Sequence, residues 1–541
     1  MDEPRDPRSR HSSSTDNDIE YVTATSPEEP SIPEKPVPEH GYTFDQLVDK
    51  LLSQPLSKTD SKFVSIFLAL YRAFARPMQL LEAILVRFDM LRGTYQPQLM
   101  ITQQQQRILS VLDQWVSMHP GDFAHKSTRQ RLQSFVASLQ SISILSVAAK
   151  EIGSHLEVTV NDDDGDWGRS DFQDSKVKES DLELKKTNTQ TTNGSTDEKS
   201  TSSARNSRTA GGSISISPSQ TLIHIIENAA TQARNLVPSP RTPLTKVQWH
   251  SFMECLDDSI AKELTYMDWI MFSSIRPRDL IRHVSLSAAQ KQNTKSLENV
   301  NRAIEHFNHL AYWVANFILL RDKPKHRALM MEKFMRVARK LRELNNYNSL
   351  GAILAGLQST PIHRLLATRD LINPTLQKDY LKLEILMGTA KSHFAYRLAW
   401  ENSSNERIPY IPLHLRDLVS ASLGNKTFFT DNADPDGPER INWKKFEIMG
   451  EVVVGIQKAQ EVPYPKLDRD DEVRNLVLDC RLSKDDDVSP KSYPSYIHVL
   501  GFEGANTSAQ ELYDRSTAVE PAGGAGDRRR FNWFQRSSSQ V

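Results

Sequence analysis

The sequence predicts an all-α protein of two helical domains, a smaller one over 41–156 and a larger one over 244–482, joined by a disordered linker. Three observations predict it. Apolar residues recur along both regions at the three- and four-residue spacing of a buried helix face. Strand signals are weak. The best run, Tyr410-Ile-Pro-Leu-His414, carries Pro412 where a central strand needs an N–H. Between the two regions the chain turns to Asp, Ser, Thr, Asn and Gly, which bury too little apolar surface to offset chain entropy.

Each element follows from its residues. Residues 1–40 are rich in Pro, Ser, Glu and Asp and are expected to be disordered. Order is expected from Tyr42. Phe63, Ile66, Phe67, Leu70, Tyr71 and Phe74 make the first stripe, stopped by Pro77. Leu80, Leu81, Ile84, Leu85 and Phe88 make the next. Ile108, Val111, Leu112, Trp115 and Val116 make a third, ended by His119-Pro120-Gly121. Leu132, Phe135, Val136 and Leu139 make a fourth. The linker is expected over 157–243, with a short helix at 222–236 before Pro238, Pro240 and Pro243.

The second domain opens on Trp249, Phe252, Met253 and Leu256. Helices are expected over Ile260–Phe272, Val300–Leu320 and Ala328–Leu344. Phe334, Val337, Ala338, Leu341 and Leu344 then lead into a polar cluster, Asn345, Asn346, Tyr347 and Asn348. Helical spacing resumes at Leu350, Ile353, Leu354 and Leu357. A tail over 483–541 is expected to be mostly loose. It ends in Arg528-Arg-Arg-Phe-Asn-Trp-Phe-Gln-Arg536, whose cations and rings suit peripheral contact with an anionic membrane surface.

Composition excludes several classes. The formal net charge of −1 gives no basic field for nucleic acid. The two cysteines, Cys255 and Cys480, have no metal-ligand spacing, so a disulfide scaffold and a zinc site are not expected and a reducing, cytoplasmic compartment is. No apolar run reaches bilayer length. The acidic N-terminus lacks an apolar signal core, and the C-terminus lacks a prenylation cysteine. No phosphate loop, dinucleotide fingerprint or nucleophile elbow occurs, so neither a cofactor nor covalent chemistry is expected.

Ordered matches spread over the second domain resemble the catalytic domain of Ras-type guanine-nucleotide exchange factors. They are Ile260-Ala-Lys-Glu-Leu-Thr265 with Phe272 and Ile275, Phe307-Asn-His-Leu-Ala-Tyr-Trp-Val314, Glu343-Leu-Asn-Asn-Tyr-Asn348 with Ser359-Thr-Pro-Ile-His-Arg-Leu365, Ile441-Asn-Trp443, and Ile456-Gln-Lys-Ala-Gln460 with Pro463-Tyr464. The first domain is similar to that family's N-terminal Ras exchanger motif, through Phe63-Val-Ser-Ile-Phe-Leu-Ala-Leu-Tyr-Arg-Ala-Phe74 and Val111-Leu-Asp-Gln-Trp115 with Asp122-Phe123.

The resemblance implies a protein that loosens GDP from a Ras, Rap or Ral type GTPase and lets GTP load. It implies a protruding helical hairpin over Pro374–Trp400, broken at Gly388-Thr389, that opens the switch and magnesium region. Leu376, Tyr380, Leu383 and Met387 lie on one face of its first arm. Glu384 is the carboxylate implied near the magnesium site, and Tyr380 or Leu381 the apolar plug. A bowl for the other switch is implied at Asn301, Glu305, Asn308, Leu341, Leu344, Asn345, Asn346 and Tyr347. Leucines at helical spacing are core far more often than interface, so Leu341 and Leu344 read first as core, and the asparagines read as partner contacts or internal braces. A module that docks a GTPase without opening it, or a scaffold, is the alternative.

Overall fold

The computed structural model describes residues 41–54, 58–93, 95–157, 159–172, 218–403, 405–429, 439–482 and 507–521. The smaller domain is built from α1 (Phe44–Leu52), α2 (Lys58–Leu70), α3 (Pro77–Met90), α4 (Gln98–Met118), α5 (Lys126–Leu139) and α6 (Ser146–His155). Thr43 starts α1 with a reciprocal cap to Gln46. Pro77 starts α3, where a missing N–H leaves no bond unmade. The predicted stripes form the core, with Phe67, Leu80, Leu112, Trp115 and Leu132 essentially enclosed.

A helix α7 (Pro218–Arg234) leads into the larger domain, formed by α8 (Lys246–Glu254), α9 (Asp257–Ser273), α10 (Pro277–Ser285), α11 (Ala288–Asn293), α12 (Glu298–Leu319), α13 (Pro324–Glu343), α14 (Tyr347–Gln358), α15 (Thr360–His363), α16 (Leu366–Arg369), α17 (Pro374–Met387), α18 (Ala390–Asn402), α19 (Ile411–Gly424), α20 (Trp443–Gln460) and α21 (Asp471–Leu478). Helix α22 (Thr507–Val519) follows. The strands are two residues each. Phe428–Phe429 pairs antiparallel with Arg440–Ile441, and Thr242–Pro243 pairs parallel with Cys480–Arg481. The Tyr410–His414 run opens α19, with its proline in the first turn, where a proline is tolerated.

Apolar contact joins the two domains first. Helix α2 lies along α20, with the Phe63 ring 4.5 Å from Trp443 and Phe74 5.2 Å from Phe446. Gly450 sits against Ile66 so closely that a Cβ there would overlap its side chain.

A buried ion network then seals the seam. The Asp122 carboxylate accepts from the Tyr71 hydroxyl and the Trp115 indole at 2.7 Å each, and from Arg72 Nη1 at 2.7 Å. Across the seam Arg278 Nη1 donates to it at 2.7 Å. The same guanidinium reaches Asp164 at 2.8 Å, and Arg282 Nε donates to Asp164 at 2.8 Å. Burial alone would raise the Asp122 carboxyl; Arg278 and Arg72 reverse that and hold it well below the usual carboxylate range. Arg278 and Arg282 do the same for Asp164. Their contribution to folding is present at neutral pH and is lost as acid drives the pH down through these depressed values.

Three expectations change here. Residues 159–172, read above as the start of the linker, pack between the domains. Asp162 pairs with Arg72 at 2.8 Å and Asp163 with Arg276 at 3.0 Å. An aspartate run reads as solvated until its cations are known, and these come from 90 to 118 residues away in the chain. The short linker helix is α7, which begins at Pro218. Part of the tail, 507–521, is a docked helix with Leu512 and Ser516 buried. The expectations for 1–40, for 173–217, for 483–506 and for the Arg528–Arg536 run lie outside the described residues. No helix among the described residues is long and apolar enough to cross a membrane.

Asp122→Asn leaves Arg278 and Arg72 buried without their shared anion. We expect it to lower the unfolding free energy in urea by about 3–5 kcal/mol. Glu82→Gln, which breaks an exposed 2.7 Å pair with Arg131, is expected to lower it by under about 1 kcal/mol.

Candidate functional site

The hairpin is α17 and α18. The Asn373 side chain caps α17 by accepting from the Thr375 N–H at 2.9 Å, and Pro374 fills the first position. Gly388 ends it, and the first residues of α18 make a left-handed turn, with φ of 47°, 56° and 61° at Lys391, Ser392 and His393. Left-handed backbone costs a residue with a Cβ about 1–2 kcal/mol. The tip is held by the Ser392 carbonyl, which accepts from Arg397 Nε at 2.8 Å.

The two arms expose apolar side chains. Leu381 is 44% exposed and Ile385 63% on α17, and Phe394 is 57% and Leu398 49% on α18. Tyr380 and Leu383 face the opposite way and are buried. Of the two residues weighed as a plug, Leu381 points out and Tyr380 is turned into the body. Glu384 is half-buried, and its carboxylate accepts from Gln358 Nε2 at 3.0 Å. The neighbouring Tyr380 side chain is buried beside Glu384 and Gln358. Burial, then the Glu384 charge, pushes its pKa well up. Arg369 lies against the same pair. Burial lowers its pKa, while Tyr380 and Glu384 oppose that.

The polar cluster after α13 is a joint. Asn346 is fully enclosed. Its side chain accepts from the Asn348 and Ser349 N–H groups at 3.1 and 3.0 Å and so caps α14. Asn348 Nδ2 donates to Asp268 at 2.9 Å, and the Ser349 hydroxyl donates to its other oxygen at 2.5 Å. Burial raises the Asp268 carboxyl, and those donors pull it back. His306, 4.0 Å away, supplies no charge at neutral pH, because burial holds its imidazole down at about 4.

Asn345 takes the left-handed conformation at φ 53°, which asparagine tolerates better than most residues. Its carbonyl accepts from Ile408 N, and Ile408 O accepts from Tyr347 N, both at 3.1 Å. The joint therefore grips the strand of chain that returns from the hairpin. Tyr347 is enclosed, with its ring 5.2 Å from Tyr396 of α18 and its hydroxyl 3.2 Å from Ser403. Tyr396 accepts from Tyr410 N at 2.9 Å and contacts His414 at 2.8 Å. Gly351 admits the Tyr410 ring, which a Cβ would meet at 2.8 Å.

The sequence-named bowl thus divides. Leu341, Asn346 and Tyr347 are interior and Asn308 is 8% exposed. Asn301, Leu344 and Asn345 are half-buried, and Glu305 is exposed. The enclosed residues hold the surface; the others are on it. The sequence reading passed over Ile385, Phe394 and Leu398. Their signal was apolar residues off the buried stripe of the same two helices. Among the described residues, the donor atoms of a cation site gather at Asp113, Glu151 and His155. That group lies on α4 and α6, away from the hairpin, and Asp113 already pairs with His155 at 3.2 Å.

Two domain models of one family together match more than half of the chain, and the chain belongs to the family of RasGEF-domain proteins. Residues 259–447 match the RasGEF domain and residues 40–135 the RasGEF N-terminal motif. Its relatives include Ras guanine nucleotide exchange factor A of Dictyostelium discoideum, 31% identical over 49% of this chain and 40% of that protein. Rap guanine nucleotide exchange factor 5 of Homo sapiens is 29% identical over 48% of this chain and 40% of its own length. Rap guanine nucleotide exchange factor 3 of Homo sapiens is 34% identical over 35% and 20%. The chain spans less than half the length of each of these relatives.

Asn346→Ala removes the cap and its two amide contacts. It is expected to destabilise the fold by about 2 kcal/mol, whereas Leu381→Ala, on the outer face, stays within about 0.5 kcal/mol. Urea denaturation of the two variants separates the interior joint from the exposed surface.

Proposed function

We propose that this chain is a guanine-nucleotide exchange factor for a Ras-subfamily GTPase. The observation that carries the reading is the hairpin, which holds four large apolar side chains in water on both arms. Exposed apolar surface of that kind marks a docking site for another protein.

Exchange breaks no covalent bond. Small GTPases hold nucleotide through phosphate contacts, magnesium and two switch loops. Picomolar binding corresponds to roughly 16 kcal/mol, so unaided release is slow. The factor must therefore bind the emptied GTPase better than the loaded one, and nucleotide must weaken the factor by the same ratio. Burying what Leu381, Ile385, Phe394 and Leu398 leave exposed contributes on the order of 4 kcal/mol. Only the part made with the emptied state alone speeds release.

In this reading Leu381 and Ile385 wedge into the region of one switch. Glu384, steadied by Gln358, sets a negative charge beside the phosphate and magnesium sites and disfavours the nucleotide's return. Glu305, Asn301, Leu344 and Asn345 offer the surface for the other switch, on a base fixed by Asn346, Tyr347 and Leu341. Asn308 lines the floor. The binding-only alternative draws on one observation, the hydrogen bond that keeps Glu384 on Gln358. The Arg528–Arg536 run is the segment we propose for peripheral contact with the inner membrane surface, from a cytoplasmic location.

The purified chain is expected to accelerate fluorescent GDP release from at least one member of a Ras, Rap and Ral panel. Added GTP is expected to dissociate its complex with that stripped GTPase. No acceleration across the panel, with binding retained, supports the docking module instead. Leu381→Ala is expected to slow release about tenfold, one half-buried leucine's worth of barrier. Glu384→Ala is expected to slow release with less effect on docking, and an unchanged rate removes Glu384 from the mechanism.

A further inference from the structure

Helix α22 lies beyond both matched domains, yet it closes on the root of the hairpin. Its hold is polar and specific. Arg364, between α15 and α16, donates through Nη1 to Ser516 O at 2.7 Å and Glu520 O at 2.8 Å, and lies over the Tyr513 ring. Glu520, one residue past the helix, spreads its carboxylate over three donors. One oxygen accepts from the Ala367 N–H of α16 at 2.7 Å. The other accepts from the Thr368 hydroxyl at 3.1 Å and from Arg327 Nη2 at 2.9 Å. Arg327 is fully buried at the start of α13 and also donates to Thr368 Oγ1 at 3.0 Å.

The position of these contacts matters. Thr368 is five residues before Asn373, the cap of the hairpin's first arm. The Asn373 N–H donates to Glu332 of α13 at 2.8 Å. The short segment entering the hairpin is therefore pinned at both ends to α13, and Glu520 doubles the first pin by bridging Arg327, Thr368 and the Ala367 N–H beside the direct Arg327–Thr368 bond. On α12, the helix meets Asn316 through Arg515 at 2.6 Å. Asn316 is eight residues, about 12 Å, from Asn308, toward the far end from the bowl. Helix α22 supports the root and leaves the GTPase-facing surface open.

We propose that α22 is an intramolecular brace and that Glu520 is a positioning residue for nucleotide exchange. It holds the hairpin root still, so that force on the wedge opens the GTPase instead of tilting the hairpin. This rests on the exchange reading above. It assigns Glu520 an effect on the maximal release rate and none on docking.

The test uses the full chain with Glu520→Ala, Glu520→Gln and Glu520→Asp. Two readouts are taken: amide hydrogen exchange over 366–373 in the free protein, and GDP release from the responsive GTPase at varied factor concentration. Glu520→Ala is expected to speed amide exchange at Ala367. It is expected to lower the maximal release rate about fivefold, with the half-saturating concentration changed less than about twofold. Glu520→Asp restores most of the rate. Glu520→Gln keeps an acceptor for Ala367 and falls between, and it serves if the alanine variant does not fold. An unchanged maximal rate with faster amide exchange overturns the proposal. So does a raised rate, which marks α22 as a restraint, or a change confined to half-saturation, which marks it as a docking face. A wild-type chain inactive on every GTPase sinks the exchange reading and the rate assignment with it, while amide exchange at Ala367 still reports whether the brace exists.

Discussion

The hairpin depends on one buried arrangement, the carboxylate of Asp268 neutralised by dipoles. Among the described residues its ion-pair neighbour is His306, which burial keeps uncharged at neutral pH. Asn348 and Ser349 donate to its two oxygens, and Asn346 fixes those residues by capping their amides. A buried carboxylate held this way demands every donor in place, because an unpaired one costs several kcal/mol. The same few residues carry the backbone exchange with Ile408 and the Tyr347 contact with Tyr396. The joint therefore sets where the returning arm of the hairpin rejoins the body.

The surface and its support are consequently different residues. Side chains free to touch another molecule sit on the outer face of two helices, and side chains that fix those helices are enclosed behind them. Tyr380 and Leu381 are neighbours in sequence and do opposite jobs, because one residue of helix turns a side chain by about 100°. The polar group formed by Gln358, Glu384, Tyr380 and Arg369 lies at the border between the two layers.

Much of this was legible in the chain. The apolar stripes located the long helices to within a few residues, as with Val300–Leu320 against Glu298–Leu319. The polar cluster at 345–348 was recognisable as a joint, since a helix break between two apolar repeats needs caps. Which of its amides face inward was not, because spacing carries no information about Asp268, Ile408 or Thr265, whose hydroxyl accepts from Asn346 Nδ2 at 3.3 Å. The same blindness to distant partners hid the docked segment 159–172 and the helix at 507–519. Both are polar in composition, and both are ordered by arginines that lie far off in the sequence.

The seam between the domains has a consequence for how the protein is made. Asp122 belongs to the smaller domain, but Arg278, which shares its charge, is translated 156 residues later. At ordinary elongation rates that delay is about eight to thirty seconds. During it the nascent smaller domain carries a carboxylate with half its counter-charge and an uncovered Trp443-binding face of Phe63 and Phe67. It is a unit that chaperones have reason to hold until the arginines, and then Trp443, leave the ribosome.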